Sequence, residues 1–85
     1  MKVTVVGFTH AKTERTIANV EAAVKAHQGL VHVQCISDVR QMYELGVRQS
    51  PAVLVNNKLK ISGHIPSVYE VQTWIAEGME EGVGV

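Results

Sequence analysis

Few side chains in this 85-residue chain can do chemistry: one thiol, Cys35, and four imidazoles, His10, His27, His32 and His64. A single cysteine closes no internal disulfide and builds no cysteine-cluster zinc site. No two of the histidines have the i, i+4 spacing that sets a pair of metal ligands on one helix face. His10 stands between a β-branched run and the first helical spacing, where the unpaired amides and positive end of a helix favour an anion. A histidine there can hydrogen-bond a carboxylate or a peptide carbonyl, or can be an exposed loop residue beside a cap. Cys35 shares a strand face with Val31 and Val33, which predicts a buried, inert thiol, with a lone redox thiol as the alternative. Tyr43 and Trp74, at helical spacing among apolar neighbours, are expected to pack rather than to stack on bases.

The whole chain limits what these groups can belong to. Eight basic and eight acidic residues leave no net charge, so there is no basic footprint for nucleic acid or for an anionic membrane surface. The balance is uneven along the chain: residues 61–85 carry Glu70, Glu77, Glu80 and Glu81 and no base, as expected of a solvated face on a last helix. Ala26 to Ser37 is the longest stretch free of charge, and it is too short and too polar for a transmembrane span. Lys2 to Phe8 is likewise too short and too polar for a secretory core, so the cytoplasm is the expected compartment. At 46 % apolar and 19 % charged residues the chain should fold as one small domain, assigned to residues 1–79, with a frayed tail at 80–85.

The elements follow from local patterns. Lys2 to Val6 (KVTVV) predicts a strand ending at Gly7. After the loop Phe8-Thr9-His10, Ile17, Val20 and Val24 recur at three and four and predict a helix stopped by Gly29. Leu30 to Ile36 is a second strand, and Ser37 or Asp38 caps a short helix carrying Val39, Met42 and Leu45. Ala52 to Val55 is apolar throughout, as in a central strand covered on both faces. Asn56-Asn57 suits a two-residue hairpin turn, and Lys58 to Ser62, with Leu59 and Ile61 alternating against lysines, reads as an edge strand. Ser67 and Glu70 form a capping box for a last helix bearing Val68, Val71, Trp74 and Ile75 and ending near Gly78. The order βαβαββα predicts an α/β sandwich whose first two strands are parallel and last two antiparallel.

Three segments carry a resemblance: KVTVVGFTHAKT at the start, QSPAVLVNNKLKISG in the middle, and the IPS that leads into the last helix. Over residues 1 to about 77 the chain resembles the small thioredoxin-like proteins, in particular the glutaredoxin-sized group of redox-active disulfide proteins. That resemblance implies a thioredoxin-like fold, a four-stranded mixed sheet in the order 2-1-3-4 with helices on both faces. It also implies a cis peptide bond before Pro51, in a groove where the family pairs with glutathione or an extended client chain. In that family a C-x-x-C pair opens the first helix, and the matching positions here are His10 and Thr13.

The departure governs the functional expectation. Disulfide exchange needs a thiolate to attack and a second thiol to resolve, which imidazole and hydroxyl cannot replace. The expected function is therefore a non-catalytic protein- or peptide-binding or regulatory module, using a groove of Thr9, His10, Thr13, Ser50, Pro51, Gly63 and His64. The alternative is a thiol-disulfide redox protein acting through Cys35 or with a partner's thiol, and the accessibility of Cys35 separates the two. A metal centre is not expected, since in the implied strand order Cys35 and His64 lie on opposite edges of the sheet, about 14 Å apart at ~4.8 Å per strand. No cofactor is implied. The expected partner is a protein or peptide, with glutathione or another thiol the lesser option, because the acidic pair many glutaredoxins place before the last helix is missing around Gly63 and Ser67. A subunit that dimerises through a free sheet edge is a third possibility.

Overall fold

The β-branched segments pair as their alternation requires. A computed structural model describes residues 1–27 and 29–83, with side chains to residue 80. Four strands, β1 (Lys2–Val6), β2 (His32–Ile36), β3 (Ala52–Val55) and β4 (Lys58–Ser62), form one sheet in the order β2-β1-β3-β4. β1 runs parallel to β2 and antiparallel to β3, and β3 is antiparallel to β4. The helices are α1 (Ala11–Val24), continued by one 3-10 turn to His27, α2 (Val39–Glu44) and α3 (Val68–Val83). This is the expected mixed sheet with helices on both faces.

Two cores result, one per face. On the first, Val3, Val5, Val53 and Val55 of the central strands pack with Val20 and Ala23 of α1 and Val71 and Ile75 of α3, all essentially sealed from solvent. Trp74 is half-buried against this core, as its spacing predicted. On the second, Val6, Ala52 and Leu54 pack with Val47, Met42 and Leu45 around the short α2. Among the described residues, no helix is long and apolar enough to cross a membrane.

Local signals explain the joints. Asn56 and Asn57 both take positive φ, 51° and 68°, which the side chain of Asn tolerates and a two-residue hairpin needs. Asn56 also ties the turn to β1, its Oδ1 accepting from the Lys2 amide at 3.1 Å. Of the two candidate caps for α2, Asp38 is the one used: Oδ1 accepts from the amides of Arg40 at 2.8 Å and Gln41 at 3.3 Å. Ser67 and Glu70 close the capping box of α3 with reciprocal 3.0 Å bonds.

Four expectations are corrected. The last helix does not stop near Gly78 but runs to Val83; of the expected tail at 80–85, residues 80–83 are helical and 84–85 lie outside the described residues. Gly78 is buried inside α3: a Cβ on it would come within 2.7 Å of Met1 Cε, the end of a flexible side chain that can move aside, and 3.3 Å of Val55 Cγ1. In β4, Leu59 and Ile61 do not share a face. The register jumps from Val53↔Ile61 to Leu54↔Leu59, a bulge at Lys60 that turns Ile61 to the first core and leaves Leu59 opposite Leu54 and exposed. Tyr43 does not pack in a core either; it is 61 % exposed, with the Arg48 guanidinium 5.6 Å from its ring centroid. The fourth correction, at Cys35, belongs to the site.

Candidate functional site

The site forms where β1 delivers the chain to α1. Beyond Val6 the pairing with β2 continues for one residue, the Gly7 amide donating to Ile36 O at 2.9 Å, and then Phe8, Thr9 and His10 turn away from the sheet. His10 is the N-cap of α1. Its backbone is extended, its carbonyl accepts from the Glu14 amide at 3.1 Å, and its Nδ1 accepts from the Lys12 amide at 3.2 Å. The imidazole thus does what Ser, Thr, Asp or Asn does at most N-caps. Because Nδ1 spends its lone pair on the helix, the ring proton of the neutral side chain sits on Nε2, which remains as a donor.

Three residues on, Thr13 is turned inward and only 8 % exposed. It lies against Gly7 so closely that a Cβ on that glycine would fall 2.5 Å from Thr13 Oγ1 and 2.6 Å from Cγ2. The glycine at the end of β1 is therefore what lets the first turn of α1 approach the sheet. Across from this turn stand Ser50, exposed, and Pro51, buried, joined by a cis peptide bond. Pro51 O accepts from the Gly63 amide at 2.8 Å, and Gly63, at φ +79°, leaves room for the Gln49 side chain where its own Cβ would be. Among the described residues, the Ser50 backbone N–H and C=O have no hydrogen-bond partner.

Between these two segments is a cleft of about 260 Å³ lined by Phe8, Thr9, His10, Lys12, Thr13, Ser50 and Pro51. Of the seven groove residues expected from sequence, Thr9, His10, Thr13, Ser50 and Pro51 come together here; Gly63 and His64 do not line it. Gly63 acts one step back, by holding Pro51, and His64 is exposed outside the cleft. Phe8 and Lys12 were not singled out, although Lys12 stands inside the four-residue segment that was. Its position in the first turn of α1, next to the cap, was the available signal.

Cys35 corrects the expectation of a buried thiol: it is exposed. It pairs in register with Val5 and so faces the α1 side of the sheet, but β2 is an edge strand with a neighbour on one side only, and none of its five residues is buried. Cys35 lines a second hollow of about 240 Å³, together with Val5, Glu14, Ile17 and Ser37. The two hollows share Phe8, Thr9 and Thr13. Among the described residues no three His, Cys, Asp or Glu side chains gather as metal ligands would.

A mixed sheet in the order β2-β1-β3-β4, with a helix opening at the end of β1 opposite a proline that precedes β3, defines the thioredoxin-like class. A family model described as a thioredoxin domain matches residues 1–76, a span that includes both walls of the cleft, and the chain belongs to that family. No curated protein matches the chain closely enough to count as a relative.

Proposed function

We propose that this thioredoxin-like domain is a binding module that holds an extended peptide segment of a partner protein in the cleft between His10 and Ser50-Pro51, without dithiol exchange. The observation that carries the reading is the pairing of unused groups across the cleft. On one wall the Ser50 backbone offers an N–H and a C=O with no internal partner, as a chain that pairs with an added strand must. On the other, the imidazole of His10 is fixed by its bond to the Lys12 amide, so that Nε2 is a positioned donor. Phe8, half-buried, and Pro51 supply apolar surface between them. The positions where the family's two thiols stand are committed here to capping, by His10, and to packing on Gly7, by Thr13. Selection of peptides from a displayed library tests the reading: enriched sequences should bind the wild type and lose binding to Ser50→Trp, whose side chain fills the cleft from an exposed position. Enriched peptides that bind both proteins equally would overturn it.

A second reading has one observation in its favour, the exposure of Cys35, which gives a single-thiol redox protein the accessible sulfur it needs. Against it, Cys35 lines the hollow that contains Glu14 and not the cleft of His10, Lys12 and Ser50. The residues that line that hollow include no basic side chain and one acid, Glu14. Reduction of a glutathione or protein disulfide at a rate abolished by Cys35→Ser would decide for this second reading.

A further inference from the structure

The hollow beside Cys35 contains a hydroxyl that the protein leaves unused. Thr13 is only 8 % exposed, and its Oγ1 has no hydrogen-bond partner among the described residues. Gly7 shows where that hydroxyl lies, since a Cβ on the glycine would fall 2.5 Å from Oγ1. Gly7 lines the hollow of Cys35 and Glu14 and not the cleft of Ser50 and Pro51, so the hydroxyl is on the thiol's side. Among the described residues no side-chain oxygen or nitrogen is both sealed from solvent and unpaired. Oγ1 of Thr13 therefore opens into the hollow, available to a group that enters it. The other lining residues indicate the kind of group. Glu14 is exposed, is the only charged side chain of the hollow, and has no ion-pair partner among the described residues. Val5, Phe8 and Ile17 supply apolar wall. At about 240 Å³ the hollow is smaller than the roughly 300 to 1,000 Å³ of sites for drug-sized ligands, so its occupant has few atoms.

From this arrangement we infer that Cys35 is a modification site for small cationic aminothiols: it takes a cysteamine-type group in disulfide linkage, whose ammonium donates to the Glu14 carboxylate and the Thr13 hydroxyl. The co-reactant is the aminothiol's own disulfide. Cys35 gives its proton to water, and the thiolate attacks one sulfur of that disulfide. The new S–S bond forms as the old one breaks, and the other half leaves as a thiolate that takes up a proton. The Cys35 sulfur is oxidised and the leaving sulfur reduced. With one cysteine in the chain, no internal thiol displaces the adduct, so it stays until an external thiol removes it. Cys35 is thus modified rather than turned over, and the inference does not rest on the peptide cleft.

Mass spectrometry of the native protein incubated with cystamine or with hydroxyethyl disulfide, which has a hydroxyl where cystamine has an ammonium, tests the site. Each should add one group to the wild type and none to Cys35→Ser. The rate with cystamine divided by the rate with hydroxyethyl disulfide should be about fivefold higher in the wild type than in Glu14→Gln, as one ion pair in water supplies. Taking the ratio within each protein cancels any change in the thiol itself. Thr13→Val, which keeps the shape and removes the hydroxyl, should weaken the cysteamine adduct about fivefold in a cysteamine–cystamine buffer, in line with one lost hydrogen bond. Glu14→Gln, at an exposed position, keeps the test readable if Thr13→Val does not fold. In the ¹⁵N spectrum the adduct should shift the amides of Gly7 and Thr13 and leave that of Ser50 in place. The inference is overturned by a folded protein that forms no adduct, by a rate ratio unchanged in Glu14→Gln, or by shifts confined to β2.

Discussion

The contact between Gly7 and Thr13 gives the most specific perturbation, because the first turn of α1 can reach the sheet only if residue 7 has no side chain. In Gly7→Ala the new Cβ would meet Thr13 at 2.5 Å from Oγ1, 2.6 Å from Cγ2 and 3.1 Å from Cβ. Rotation about χ1 moves the first two atoms but not the third, so the helix itself must shift. Overpacking of this kind costs about 1 to 3 kcal/mol. Gly7 does not have a positive φ, so alanine fits its backbone and returns about 0.4 to 1 kcal/mol through the unfolded chain. A net loss of about 1 to 2 kcal/mol is expected, or some 4 to 16 °C in Tm for a domain of this size. Thr13→Ala alone should cost about 1 kcal/mol for the buried methyl that it removes. The double variant should be no less stable than Thr13→Ala, since only the 3.1 Å contact is left and an easing of a few tenths of an ångström relieves it. Urea unfolding of the four proteins reads the cycle, with a coupling of about 1 to 2 kcal/mol between the two sites. Additive losses, or a neutral Gly7→Ala, would show that α1 does not rest on the end of β1 and would refute the geometry given for the cleft.

Three further outcomes are expected. Native Cys35 should react with DTNB without denaturant, as an exposed thiol does; labelling that waits for unfolding would return it to the interior. A long-range ¹⁵N spectrum of neutral His10 should show the proton on Nε2 and none on Nδ1, and the opposite tautomer would mean that the imidazole does not cap α1. Asp38→Ala should cost about 1 kcal/mol by freeing the amides of Arg40 and Gln41, whereas Ser37→Ala should change little; equal effects would contradict the assignment of the cap.

What was legible in the sequence is what depends on residues close together in the chain. Ser67 and Glu70 announce their capping box, Asn56-Asn57 their turn, and the apolar runs KVTVV and AVLV the two central strands, because each signal acts within a few residues. The family resemblance supplied the strand order, and with it five residues that meet in one cleft. The misreadings share a long-range cause. Cys35 is apolar in its neighbours but exposed because an edge strand is covered from one side only, which no pattern within HVQCI records. Gly78 reads locally as a helix stop, yet α3 runs through it to Val83 with Gly78 buried near Met1 and Val55, far away in sequence. The bulge at Lys60 answers the register of β3, and Tyr43 is exposed because Met42 and Leu45 supply the side of α2 that packs on the second core. At the cleft, Lys12 and Phe8 join the lining through the path of the loop before α1, and Gly63 withdraws to a supporting bond with Pro51.

The claim that the cleft binds an extended chain is met most directly by cross-saturation NMR on the deuterated domain with a display-selected peptide bound. Saturation should reach the amides of Thr9, His10 and Ser50 and spare those of Cys35 and Ser37, which line the other hollow. Transfer centred on Cys35 and Ser37, with none at Ser50, would place the ligand in the thiol's hollow and contradict the binding cleft.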